Sequence, residues 1–128
     1  MRALHDHCVP GSDSPVQVYT VDEPGPGGAN HHYHLRYPAQ DRDNPERCVW
    51  QTIGIPFQHG ASHEAGVNGV SNEALLAVVL DRLDSFQKGP LSCQENELAL
   101  GHVRLALQAL HQRTRERSRR GVEGRLVP

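Results

Sequence analysis

Aromatic residues are scarce in this chain of 128 residues, which has one tryptophan, three tyrosines and two phenylalanines. With so few rings and a mean hydropathy of −0.58, we expect an elongated chain that relies on partners for burial. Long apolar runs are also missing. The longest, Ala74 to Leu80, has seven residues, against about 20 needed to cross a bilayer, and no N-terminal segment has the basic flank and apolar core of a signal peptide. Cysteine is limited to Cys8, Cys48 and Cys93, an odd number without CxxC spacing. Neither a disulfide framework nor a zinc ribbon is expected, and a reduced cytosolic setting is. Lysine is almost absent: Lys88 stands alone among 13 basic residues, and the rest are arginine. Arginine is the side chain suited to a planar, bidentate grip on phosphate.

The net charge of −2 hides an asymmetry. Residues 1–70 carry eight acids against four bases, whereas residues 91–128 carry seven bases against four acids. The first 15 residues, with Gly11, Ser12, Ser14 and Pro15, read as a flexible arm or an arm ordered only by a neighbour, and no fold is assigned to them. From residue 16 to residue 128 we expect a single domain. Alternation at Val16, Val18 and Thr20 suggests a strand, ended by the Pro/Gly stretch from Glu23 to Gly28. A second strand follows from His32 to Tyr37, with His32, His34 and Arg36 on one face and Tyr33, Leu35 and Tyr37 on the other. A third runs from Cys48 to Phe57, where Pro56 marks an edge. Together they make a small antiparallel meander over residues 16–58, which needs cover on its apolar face.

After a glycine-rich stretch with a tight turn at Asn68-Gly69, Ser71 opens a first helix over residues 71–88. Lys88-Gly89-Pro90 ends it, in a turn short enough to make the next helix antiparallel. That second helix, residues 92–120, carries a capping box at Ser92 and Glu95 and a stop at Gly121 and Gly124. The fold class is therefore α+β, a β-meander followed by a helical hairpin with one long helix.

One face of the long helix reads Asn96, Ala99, Val103, Ala106, Leu110, Arg113, Arg117 and Arg120, polar, then apolar, then cationic. Like charges four apart cost a few tenths of a kcal/mol in an isolated helix, roughly, so an anionic partner at Arg113 and Arg117 is the natural compensation; a solvated basic helix end is the plainer reading. Asn96 and Arg113 are about 26 Å apart along the axis. A small ligand reaches both only if two copies pair antiparallel, so the expected site is shared between subunits. Leu98, Leu100, Leu105, Leu107 and Ala109 spread around the helix and give a second sign of oligomerisation. Phe86, in the last turn before the bend and near Asn96, either belongs to the core or offers a ring for a purine to stack on. The histidines His31, His32, His34, His59 and His63 lack third and fourth ligands at motif spacing, so no metal is expected. No catalytic motif is present.

The stretches Phe57-Gln58-His59-Gly60, Glu64 to Leu76, Asp81 to Pro90, Cys93-Gln94-Glu95-Asn96, Arg113 to Arg117 and Arg120 to Gly124, with Gly27 to His31 upstream, resemble the phage anti-Thoeris signal-sponge family, first type. The resemblance covers about residues 16–124. It implies a non-enzymatic phage protein that acts in the cytoplasm of the infected bacterial host. Such a protein holds cyclic ADP-ribose signals, glycocyclic ADP-ribose in particular, intact and away from the Thoeris effector. It also implies homodimers, in some members hexamers, and in some members binding of CBASS cyclic di- or trinucleotides at separate sites. Carried over residue by residue, the signal pocket falls on Phe86, Asn96, Arg113 and Arg117, and a second nucleotide site on Lys88. No cofactor, membrane or nucleic-acid partner is implied. Two rivals stand beside this reading: a nucleic-acid-binding module using the basic helix end, and a hydrolase of the signal.

Overall fold

The computed structural model describes residues 1–121 together with Arg125 and Leu126. The chain divides into two compact units, Met1–Gly69 and Val70–Pro128, so the boundary falls inside the span read from sequence as one domain. The α+β class holds, with an antiparallel sheet in the first unit and a pair of long helices in the second.

The sheet has four strands, β1 (Arg2–Leu4), β2 (Gln17–Thr20), β3 (His32–Gln40) and β4 (Cys48–Pro56), antiparallel in the order β1-β2-β3-β4. The last three are the expected meander, and Pro56 lies on an edge strand as its missing donor demands. The first strand corrects the expectation of a flexible arm without a fold assigned to it. Arg2–Leu4 pairs with Val18–Thr20, and Thr20, only 2 % exposed, explains the attachment. Its Oγ1 accepts from the Arg2 amide at 3.1 Å, and the same hydroxyl reaches the Arg2 carbonyl at 3.5 Å. A three-residue strand is too short to leave a period in the sequence. β3 also runs past its expected end, through Pro38 to Gln40. Beyond Arg36 it has only β4 as a neighbour, so a residue without an N–H is tolerated there.

Register sorts the side chains. Leu4, Val18, Leu35 and Ile53 stand in one row across the four strands, while His32, His34 and Arg36 occupy the opposite face as the alternation requires. The corner between β2 and β3 is held by Asp22, whose carboxylate accepts from the His31 amide at 2.9 Å, and by Asn30, whose Nδ2 donates to the Asp22 carbonyl at 2.7 Å. The His31 amide bond is the main cause that holds the Asp22 carboxyl below its ordinary value of 3.8. A depressed carboxyl stabilises the fold above its unfolded pKa and loses that contribution as pH falls through the folded value. Acidification below about pH 4 is therefore expected to loosen this corner first, and Asp22→Asn to remove the dependence. The pH profile of the His31 amide resonance checks both.

After β4 the chain makes one short helix, α1 (Ser62–Ala65), which the sequence did not signal. The loop around it is closed by two side chains. Asn68 Oδ1 accepts from the His59 amide at 2.8 Å and its Nδ2 donates to the His59 carbonyl at 2.7 Å, while Gln58 Nε2 donates to the Gly66 carbonyl at 2.7 Å. Gly69 is needed for close approach and not for positive φ, because a Cβ there would lie 2.4 Å from the Phe57 carbonyl carbon.

In the second unit, α2 (Asn72–Gln87) and α3 (Gln94–Arg119) pack as an antiparallel hairpin. Ser71 caps α2 as expected, its Oγ accepting from the Ala74 amide at 3.1 Å. The capping box at Ser92 does not form. Ser92 is used in the turn, its amide bonding the Gly89 carbonyl at 3.3 Å, and the N-cap of α3 is Cys93, with no side-chain cap bond. Gln87 takes over from the facing helix: its Oε1 accepts from the Cys93 amide at 3.1 Å, and its Nε2 donates to the Cys93 carbonyl at 3.0 Å and to Glu97 Oε2 at 3.1 Å. Ser71→Ala should therefore lower stability by about 1 kcal/mol, while Ser92→Ala should cost less than about 0.5 kcal/mol. Urea midpoints followed by circular dichroism distinguish the two. At the far end Gly121 turns the chain at φ 73°, as its expected stop requires, while Gly124 lies outside the described residues. Leu100, 2 % exposed, is the most buried apolar side chain described, whereas Val78 and Leu105 stay 66 % and 60 % exposed.

Candidate functional site

The four residues singled out from sequence occupy the two ends of one hairpin. Phe86 sits in the last turn of α2 and Asn96 in the first turn of α3, both half-buried. The neighbouring residues Gln87 and Glu97 bond each other directly, so the clasp at the bend fixes this end. Asn96 Nδ2 donates to the Leu91 carbonyl at 3.4 Å, and its Oδ1 makes no hydrogen bond to another described residue. The Arg82 guanidinium lies over the Phe86 ring, 4.9 Å from its centroid. Sequence reasoning passed over Arg82, although its position four residues before Phe86 on a helix was the available signal.

Arg113 and Arg117 lie in the last two turns of α3, about 26 Å and more from Asn96 along the axis. One chain does not bring the four together. Arg113 is exposed. Arg117 is 8 % exposed, and its Nη2 donates to the Arg125 carbonyl. Glu116 pairs with Arg119 on the next stretch of surface, which leaves the Arg113 side without that neutralising carboxylate. Beside the arginine end runs an apolar groove of about 360 Å³ lined by Asn72, Leu75, Leu76, Val79 and Leu110.

Lys88, the residue carried over for a second nucleotide site, is bound to its own helix. Its Nζ lies 2.8 Å from Asp84 Oδ2, and Arg104 reaches the other oxygen of the same carboxylate at 3.5 Å. The Lys88 hydrogen bond is the leading cause that lowers the Asp84 carboxyl, and Asp84 in turn raises the lysine.

In the first unit a cavity of about 520 Å³ opens between Asp22, Gly25, Phe57, His59 and Asn68. The histidines separate into pairs: His31 and His59 meet edge to face at 5.1 Å, and His32 and His34 at 5.2 Å. Among the described residues no three of His, Cys, Asp and Glu converge as a metal group, and no helix is long and apolar enough to cross a membrane.

A family model described as Acb2/Tad1, hairpin domain, matches residues 51–115, just over half of the chain. The chain belongs to the Acb2/Tad1 hairpin family. The matched span contains β4 from Gln51, all of α2 and most of α3, and so includes Phe86, Lys88, Asn96 and Arg113, while Arg117 lies two residues beyond it. The Acb2/Tad1 hairpin here is also similar to the protein named Thoeris anti-defense 1 from Bacillus phage SBSphiJ7, with 47% identity over 70 residues. That stretch is 55% of this chain and 49% of the relative, so the chain spans about half the length of the phage protein it matches.

Proposed function

We propose that this chain is a phage anti-Thoeris protein that binds a cyclic ADP-ribose signal, glycocyclic ADP-ribose, and holds it without degrading it in the cytoplasm of the infected bacterium. The observation that carries the reading is the placement of an aromatic ring with an amide at one end of the family hairpin and two guanidiniums on the same helix band at the other. An antiparallel second copy completes the pocket. Phe86 stacks on the adenine, Asn96 bonds its edge or a ribose through its free Oδ1, and Arg113 of the second chain clamps the pyrophosphate together with Arg117, which must turn from the Arg125 carbonyl to do so. The apolar groove beside Leu110 gives that copy a face to cover. Sequestration is stoichiometric, so it requires tight binding and no turnover. A cyclic oligonucleotide at Lys88 would have to displace the Asp84 carboxylate.

The test is to incubate the purified protein with glycocyclic ADP-ribose, remove unbound material, denature by heat and chromatograph what is released. Intact compound at about one per hairpin supports sequestration; breakdown products would establish the hydrolase instead. Recovery of nothing would sink both, and a steep salt dependence of binding to single-stranded nucleic acid would then favour the basic helix end as its site.

A further inference from the structure

The alternation His32-Tyr33-His34 sets two imidazoles on one face of β3. Their ring centroids are 5.2 Å apart with the planes nearly perpendicular. Directly across from His34 on β4 stands Gly54. A Cβ at that position would meet His32 Nε2 at 3.5 Å and His34 Nε2 at 3.8 Å. Both nitrogens thus flank one point above the glycine, in a space that a larger side chain at 54 would fill. Neither ring hydrogen-bonds another described residue. The other histidines with resolved partners differ in this respect: His7 Nε2 is bonded to the Val16 carbonyl at 2.7 Å, and His31 Nε2 to the Pro26 carbonyl at 2.8 Å. Arg36, next on the same face, does not occupy the space, since its guanidinium lies over Trp50, 5.0 Å from the ring centroid.

We propose that His32 and His34 form a bidentate site for a divalent transition ion. Neutral imidazole nitrogen suits Cu²⁺, Ni²⁺ and Zn²⁺, with Cu²⁺ held most tightly, whereas Ca²⁺ and Mg²⁺ require oxygen donors. Imidazole–metal bonds are about 2.0–2.1 Å long, so side-chain rotation must bring the two Nε2 atoms together on an ion held farther out above the glycine than a Cβ would lie. No third His, Cys, Asp or Glu joins the pair among the described residues. The remaining positions of the ion are left to water or an external oxygen ligand. This site lies in the sheet unit and is independent of the signal pocket on the hairpin.

The full chain without an affinity tag is titrated with Ni²⁺ by calorimetry and by amide NMR. The expected result is one equivalent bound, with paramagnetic broadening centred on residues 32–34 and Gly54. His32→Ala and His34→Ala should each lower affinity about ten-fold or more, since even outer-sphere partners of a metal ligand cost that much. Gly54→Val keeps both ligands but fills the space between them. It should lower affinity comparably while the circular dichroism spectrum is unchanged. The double change His5→Ala with His7→Ala removes the other His-x-His spacing and should leave binding intact. Unchanged affinity in the His32 or His34 variants, or broadening centred on residues 5–8 in the native chain, would overturn the proposal. Because the native broadening pattern is decisive alone, the test stands even if a variant fails to fold.

Discussion

Single replacement of Arg113 or Arg117 by alanine is expected to weaken glycocyclic ADP-ribose binding about ten-fold or more. In the proposed pocket each change removes a charge-assisted hydrogen bond to the pyrophosphate, worth roughly 1.5–3 kcal/mol. Calorimetry measures the loss, but the sharper experiment mixes two defective chains. One carries Phe86→Ala with Asn96→Ala, the other Arg113→Ala with Arg117→Ala, and neither homodimer should hold the signal. If the pocket is shared as proposed, one pocket of a mixed dimer combines the intact Phe86 end of the second chain with the intact arginines of the first. Binding should therefore return at one site per mixed dimer. If the pocket were built within one chain, mixing would restore nothing, and the 26 Å separation along α3 would need another explanation.

Leu100→Ala should have the largest effect on stability, a loss of about 2–5 kcal/mol, because it opens a cavity at the most buried apolar position of the hairpin. A domain holds only about 5–15 kcal/mol in total, so the helices of this variant should melt at a much lower urea concentration. Leu105 lies five residues on and is 60 % exposed. Its truncation should cost less than about 0.5 kcal/mol in an isolated chain. A larger loss, with a midpoint that rises with protein concentration in the native chain, would place a second chain over that side of α3.

The two long helices were legible because each lets its apolar period repeat several times, whereas the four residues of α1 are too few to show one, and Ser71 and Gly121 carry local chemistry that needs no tertiary partner. Three strands were legible by alternation. What else escaped the sequence depends on residues in other elements: β1 on Thr20, the start of α3 on Gln87, and the passage of β3 through Pro38 on where β2 stops. Ser92 and Glu95 had the right spacing for a capping box, but the turn claimed Ser92 first. For the site, the band on α3 was readable from helical geometry alone. The burial of Arg117 was not, since it is set by packing that spacing does not specify, while Arg82 over Phe86 had only its four-residue spacing to signal it.

The ion pair between Lys88 and Asp84 has a practical consequence. Lys88 is the single lysine of the chain, so amine-directed reagents have one side-chain target, at the hairpin bend. Its carboxylate neighbour favours the protonated amine, so acylation there quickens as the pH rises. A dye applied at alkaline pH thus marks the bend, and the hairpin acquires an optical label without any engineered residue.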